Sequence, residues 1–335
     1  MINKLVEIAE KLSEERKKDS EFLDRIGKAA HEQAPRFLII SPIRRSSQDL
    51  QLFNMKMGDV FHATRVSNKP LLPPNESPIL FAGPAAFNRE FPEKRAVILT
   101  FDIEEPEAII RESLENLILH PDLEGLPIIV FRADYEQGRV RIVPHGKGRD
   151  YEDENRLISQ VNRPEELDTH TLVLICSDSR IDPPVTPRGL PMAIRTLGGY
   201  IPQYTGLEDE TLYLNNFFED WLSQKEGTQQ ILVIVHGNFE GDGPSCGAGM
   251  ASLSPADISN KMLRSVLVEL ENAAKPFEPV PANTPEDRVK SLALAIRQNL
   301  LTYPAINTNP ISKTVDFIRT LLMDTVSNVL TITDD

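Results

Sequence analysis

The feature that most constrains the fold is a run of four apolar residues, 172–175, leading directly into Cys176-Ser-Asp178-Ser-Arg180. A continuous apolar run of this length reads as a strand buried on both faces, the kind found inside a parallel sheet. The polar group then falls at the strand's carboxyl end, where open α/β sheets form their ligand crevices. A second run, 231–235, repeats the arrangement. It ends in His236 and continues through a loop containing Gly237, Gly241 and Gly243 to Ser245-Cys246-Gly247-Ala248. The chain has two cysteines, and both lie in these stretches.

Composition narrows the class. With 335 residues, 40% of them hydrophobic, the chain can build two ordinary domains or one large one. No run approaches the ~18–20 apolar residues of a membrane span. The first ten residues are charged throughout and lack the apolar core of a signal peptide, so a cytoplasmic location is expected. A net charge of −14 disfavours nucleic acid or an anionic membrane as a partner. Two cysteines make no disulfide framework; in a reducing compartment they are metal ligands or buried thiols.

The pattern along the chain predicts an α/β fold. Residues 1–31 read as a helical arm with an apolar stripe at Leu5, Ile8, Leu12, Phe22 and Ile26. Strands are predicted at 35–42, 58–65, 95–101, 127–131 and 139–143, with a helix at 106–119. Six prolines in 70–96 predict an irregular excursion there. The polar stretch 146–163 reads as a linker, dividing the chain into 32–150 and 151–335. The second part carries strands at 171–175, 192–195, 231–235 and 328–333. Helices are predicted at 211–224, 286–302 and 310–323. Ser254-Pro255-Ala-Asp257 reads as the start of another, running to about Ala274.

The two parts resemble each other in order. Residues 35–42 can be laid on 169–176, which puts Pro42 opposite Cys176. Gly58 to Arg65 lies opposite Gly189 to Arg195, and 128–136 opposite 232–240, which puts Arg132 opposite His236. This predicts an internal duplication in which the first half has lost its metal-capable residues.

Cys176, His236 and Cys246 form a Cys₂His set. Thiolate and imidazole suit Zn²⁺, and three protein ligands with an open fourth position describe a catalytic site. Two buried core cysteines beside an unrelated histidine are the alternative. The common placement at strand ends favours metal. Asp178 can accept a hydrogen bond from a zinc-bound hydroxide, with Arg180 holding it ionised. Alternatively Asp178 fills the fourth position itself. Zn²⁺ lowers the pKa of a bound water to about 7.

Cys-Ser-Asp-Ser-Arg at 176–180, followed by His236 and Cys246-Gly-Ala, resembles the β-class carbonic anhydrases; Ala293 to Pro304 is similar to the family's late helix. The resemblance covers about 165–333. It implies two carbonic-anhydrase-like halves, each a mostly parallel sheet flanked by helices, paired as an intrachain pseudo-dimer. It implies one zinc held by Cys176, His236 and Cys246, an Asp178–Arg180 dyad, Gly247 in the substrate pocket, and reversible hydration of CO₂ to bicarbonate. Higher homo-oligomers are compatible with it. Two departures stand out. The family's usual His-x-x-Cys is stretched here to nine intervening residues, and its Arg-Asn-Ala-Gly-Asn is Arg195-Thr-Leu-Gly-Gly199. The stretched spacing is similar to the carboxysomal branch of the family. There, however, the half without zinc follows the active one.

In family dimers a Gln nine residues before the first Cys, and a Phe three residues after the short-strand Gly, line the pocket at the interface. The zinc half has Leu167 and Met192 at those places, whereas the first half has Gln33 and Phe61. The resemblance therefore implies that Gln33 and Phe61 complete the pocket built on Cys176, His236 and Cys246. Two other functions remain open: hydrolysis of COS or CS₂ on the same site, and a non-catalytic zinc protein.

Overall fold

Ten strands account for the apolar runs, and among the described residues they form two five-stranded sheets. The structure is a computed structural model that describes residues 2–24, 33–91, 93–145, 157–223, 229–239, 245–278, 284–310 and 317–333. The first sheet comprises β1 (Phe37–Pro42), β2 (Val60–Arg65), β3 (Ala96–Asp102), β4 (Ile128–Asp134) and β5 (Arg139–Ile142), in the order β2-β1-β3-β4-β5. The second comprises β6 (Leu167–Cys176), β7 (Leu190–Thr196), β8 (Gln230–Gly237), β9 (Ile318–Asp324) and β10 (Leu330–Ile332), in the order β10-β9-β8-β6-β7. Read from the β2 and β7 edges, the two orders are the same. In each sheet four strands are parallel and the fifth, at the far edge, is antiparallel.

Register fixes which residues correspond. Leu38 pairs with Phe61 on one side and Val97 on the other; Leu172 pairs with Met192 and Ile231. Pro42 therefore corresponds to Cys176 and Phe61 to Met192, as the sequence suggested. The third correspondence is corrected: β8 matches β3, not β4. Counting along that register, the counterpart of His236 is Asp102 rather than Arg132.

The halves meet along β2 and β7 with reciprocal hydrogen bonds. His62 N–H donates to the Ser177 carbonyl (3.1 Å) and Ala193 N–H to the Ile43 carbonyl (3.0 Å). His62 corresponds to Ala193 and Ser177 to Ile43, so the two bonds are related by a pseudo-twofold axis, as in an isologous dimer. Apolar residues of both halves, among them Ile43, Phe61, Phe81, Ile175, Ile194 and Leu270, share one core cluster.

Helices cover the sheets. Helix α1 (Ile2–Arg16) buries Leu5, Ala9 and Ser13 and lies near β10 of the second sheet. Ile26 of the predicted stripe, and 146–156 of the predicted linker, lie outside the described residues. Leu157 is already buried in a core cluster of the first sheet, so that part of 146–163 is packed rather than linking. Helix α2 (Asp49–Leu52) is one turn, and α4 (Glu107–Ile118) follows Pro106, which stands at its N-cap.

Three sequence expectations are corrected. Residues 70–96 are not irregular throughout: Pro78–Glu90 is helix α3, and 79–87 are all buried. Pro78 stands in its first turn, where a missing N–H costs nothing, although Pro84 lies inside the helix. Residues 318–323, read as part of a helix, are strand β9. A short apolar run fits either period, and here pairing beside β8 decides it. Ser254-Pro255 opens only a single 3₁₀ turn; Asn260 caps the following helix, its side chain accepting from Leu263 N–H (3.0 Å). Further α-helices are α5 (Asp209–Ser223), α6 (Gly247–Ala251), α7 (Lys261–Ala274), α8 (Pro285–Leu300) and α9 (Pro304–Asn307). Among the described residues no helix is long and apolar enough to cross a membrane.

Candidate metal centre

Parallel neighbours β6 and β8 carry Cys176 as the last residue of one and His236 as the penultimate residue of the other. Cys246 closes the set from the N-cap of α6, where its sulfur accepts the Gly249 N–H at 3.5 Å. All three side chains are buried, and their donor atoms lie within 4.8 Å of one another. Gly198, in the left-handed region at φ 67°, turns its N–H onto Cys176 Sγ at 3.2 Å. Arg195, fully buried on β7, stands behind this turn and donates to the Ile181 carbonyl (3.2 Å) and to Asp182 (2.8 Å).

This set fits a metal ion. His236 Nε2 is buried and has no hydrogen-bond partner. Two sulfurs bound at about 2.3 Å to a tetrahedral zinc stand about 3.8 Å apart, and here Sγ···Sγ is 3.9 Å. The two thiols share a hydrogen bond. That bond, aided by the Gly249 N–H, holds the Cys246 thiol below its ordinary range against burial. That same bond, together with burial, pushes Cys176 up.

Asp178 sits beside the donors, its Oδ2 3.6 Å from His236 Nε2. Arg180 grips it from the side with backbone N–H and Nε on Oδ1 (both 2.9 Å) and Nη2 on Oδ2 (2.6 Å). Burial alone would push this carboxyl up; the Arg180 hydrogen bonds and the nearby positive charge outweigh it and hold it below the ordinary carboxylate range. Gln33 reaches in from the first half, and its Nε2 donates to Asp178 Oδ2 at 2.8 Å. A cavity of about 500 Å³ opens beside Cys176. Its walls include Gln33, Phe61, Phe91, Asp178, Arg180, Leu197, Gly247 and Ile258. The predicted residues are thus brought together in one place. Phe91, Gly198 and Ile258 were not anticipated. A Gly pair directly after a predicted strand was the one available signal, for Gly198.

The corresponding crevice of the first half lacks the donor set. Pro42 and Asp102 take the places of Cys176 and His236. Arg45 donates to Asp102 Oδ1 at 2.9 Å, placing an ion pair in the crevice. Leu167, the counterpart of Gln33, lines the polar cavity of about 420 Å³ there.

No family model matches the chain, and no curated protein matches it. Among solved structures it is similar to β-carbonic anhydrases over about half its length. The β-carbonic anhydrase CcaA is 20% identical, with 55% of this chain and 87% of that chain covered, at a TM-score of 0.37. For tetrameric β-carbonic anhydrases from the ascomycete Sordaria macrospora the values are 15%, 50%, 81% and 0.37. For a carbon disulfide hydrolase they are 16%, 50%, 79% and 0.26.

Proposed function

We propose that the chain is a zinc-dependent carbonic anhydrase catalysing CO₂ + H₂O ⇌ HCO₃⁻ + H⁺. The observation that carries this reading is the buried Cys176–His236–Cys246 set, joined through Cys176 to a cavity with an ionised, fixed Asp178 at its edge. When bound, the zinc supplies Lewis acidity that makes hydroxide available from water near neutral pH.

The protein's own groups do the rest. Asp178 is acceptor-only while ionised, and Arg180 fixes the direction of both its oxygens. Gln33 Nε2 holds the last acceptor site on Oδ2, so when the amide turns to a substrate oxygen that site becomes free to accept a hydrogen bond from the attacking water and aim the water's lone pair at carbon. Arg180 also keeps Asp178 from swinging the short distance to the metal position. The Gln33 amide offers a hydrogen bond to a substrate oxygen. Phe61, Phe91 and Leu197 present an apolar wall to CO₂, which has no net dipole.

The size and apolar walls of the cavity also admit COS or CS₂, and the same groups would hydrolyse them. Stopped-flow CO₂ hydration by purified protein of measured zinc content tests the reading, with COS and CS₂ assayed in parallel. Asp178→Asn is expected to keep its zinc and lose about 10²-fold or more in rate. A fully zinc-loaded wild type that hydrates no CO₂ overturns the proposal and leaves a hydrolase or a non-catalytic zinc protein.

A further inference from the structure

His236 is the one nitrogen donor of the metal set, and a ring nitrogen can ligate only if its hydrogen is on the other one. In this chain the other nitrogen has a single partner among the described residues. His236 Nδ1 lies 3.0 Å from Thr325 Oγ1. Thr325 is the residue directly after β9. The β8–β9 register, with His236 opposite Met323 and Gly237 opposite Asp324, delivers it to the end of β8. It is buried, and its backbone N–H donates to the Gly237 carbonyl at 2.7 Å.

The hydroxyl has one hydrogen, and that hydrogen has a recipient. Thr325 Oγ1 donates to the Gly237 carbonyl at 3.0 Å. Oγ1 then faces the ring as an acceptor, which places the ring hydrogen on Nδ1 and the lone pair on Nε2. Nε2 is the atom left without a hydrogen-bond partner, on the side of the two sulfurs. The turn that holds Thr325 is itself fixed. Asp324 Oδ1 accepts from Val326 N–H (3.1 Å), Ser327 N–H (2.7 Å) and Ser327 Oγ (2.9 Å), and its Oδ2 accepts from Phe239 N–H (3.1 Å).

We propose that Thr325 is the positioning residue of the metal centre: the relay Nδ1–H···Oγ1–H···O=C of Gly237 sets the tautomer and orientation of His236. Among the described residues the first half has no equivalent relay. There, continuing the register one residue past β4 puts Tyr135 in the corresponding place, where its hydroxyl bonds to Asp49 (2.9 Å) and Thr100 (3.3 Å). The inference rests on the reading of Cys176, His236 and Cys246 as metal ligands. It does not rest on the reaction.

The test compares Thr325→Val, which keeps the shape and removes the hydroxyl, with Thr325→Ser, which keeps the hydroxyl. Zinc affinity is measured by competition with a chelator, and the ¹⁵N shifts of the His236 ring are read in the metal-free protein. Thr325→Val is expected to bind zinc roughly 10- to 100-fold more weakly and to lose the pure Nδ1–H signature. Thr325→Ser is expected to restore both. Wild-type affinity in Thr325→Val, or equal losses in both variants, overturns the proposal. A wild type that binds no zinc overturns the metal reading instead. In that case the ¹⁵N shifts still decide the tautomer: a ring protonated on Nε2 in the metal-free wild type removes the role of Thr325.

Discussion

At the scale of single residues, the candidate metal centre is built from side chains that leave little room for substitution. Cys176 and Cys246 each receive a backbone N–H on sulfur, from Gly198 and Gly249. Such bonds favour thiolate, the form a metal needs. Serine keeps the size but not the softness of the donor. Cys176→Ser and Cys246→Ser are therefore each expected to purify with little or no zinc, measured by elemental analysis of the folded protein. Full occupancy in both would mean that the sulfurs are not ligands. These two residues, with His236, Asp178 and Arg180, were legible in the sequence because each sits at or just beyond the end of an apolar run. Thr325 was not legible. Its role depends on β9 lying beside β8, and the segment that forms β9 reads equally well as helix. Once that strand is taken for a helix, the residue following it has no address at the sheet's carboxyl end.

At the scale of elements, helix α3 shows why local pattern failed over 70–96. Its own N-cap, Ser77, makes no side-chain capping bond to the helix. The free N–H groups are satisfied instead by Glu210 of α5, from the other half. Its carboxylate accepts from Ile79 N–H (3.1 Å), Leu80 N–H (2.7 Å) and Ser77 Oγ (2.9 Å). A cap that arrives from 130 residues away leaves no mark in the adjacent sequence. Burial pushes the Glu210 carboxyl up to about 7, against the pull of those three hydrogen bonds. The unfolded chain ionises this group from about 4.5 upward, and the folded protein resists until about 7. Stability is therefore lost as pH rises through that window, by about 3 kcal/mol for this group. Glu210→Gln cannot ionise. It keeps an acceptor for Ser77 and Leu80 and gives up the bond to Ile79, so it is expected to be less stable than wild type at pH 4.5. The gap should close by about 3 kcal/mol by pH 8. Unfolding midpoints at the two pH values measure this, and a gap that stays constant would show that Glu210 is not the titrating cap. Asp49, buried and also raised to about 7, adds to the wild-type slope but cancels in the difference between the two proteins.

At the scale of the molecule, residues of both halves line one cavity. The repeat was legible from strand order and from the Gly58/Gly189 and Pro42/Cys176 alignments. The match of β3 to β8 was not, because β3 and β4 are both short apolar strands and only the sheet order separates them. The correspondence matters for function. The half with the sulfurs has Leu167 where the other has Gln33, and the Gln33 side chain crosses to Asp178 at 2.8 Å. The half with Gln33 has Pro42 in place of a ligand. One crevice therefore holds the donor set, Asp178 and Gln33 together, and the other has no sulfur and has Leu167 in the place of Gln33. This predicts an asymmetric response to symmetric substitutions. Gln33→Leu, which gives the first half the residue of the second, removes a hydrogen bond to a buried charged group, a loss of about 1.5–3 kcal/mol. It is expected to lower kcat/KM for CO₂ by about tenfold or more with zinc content unchanged. Leu167→Gln, the mirror substitution, is expected to leave both unchanged, because the crevice it lines has no sulfur and its His236 counterpart, Asp102, is already tied to Arg45. Stopped-flow assays of the two variants side by side settle the matter. A fully active Gln33→Leu, or equal losses in both, would mean that the first half supports the second only by packing and contributes no group to its chemistry.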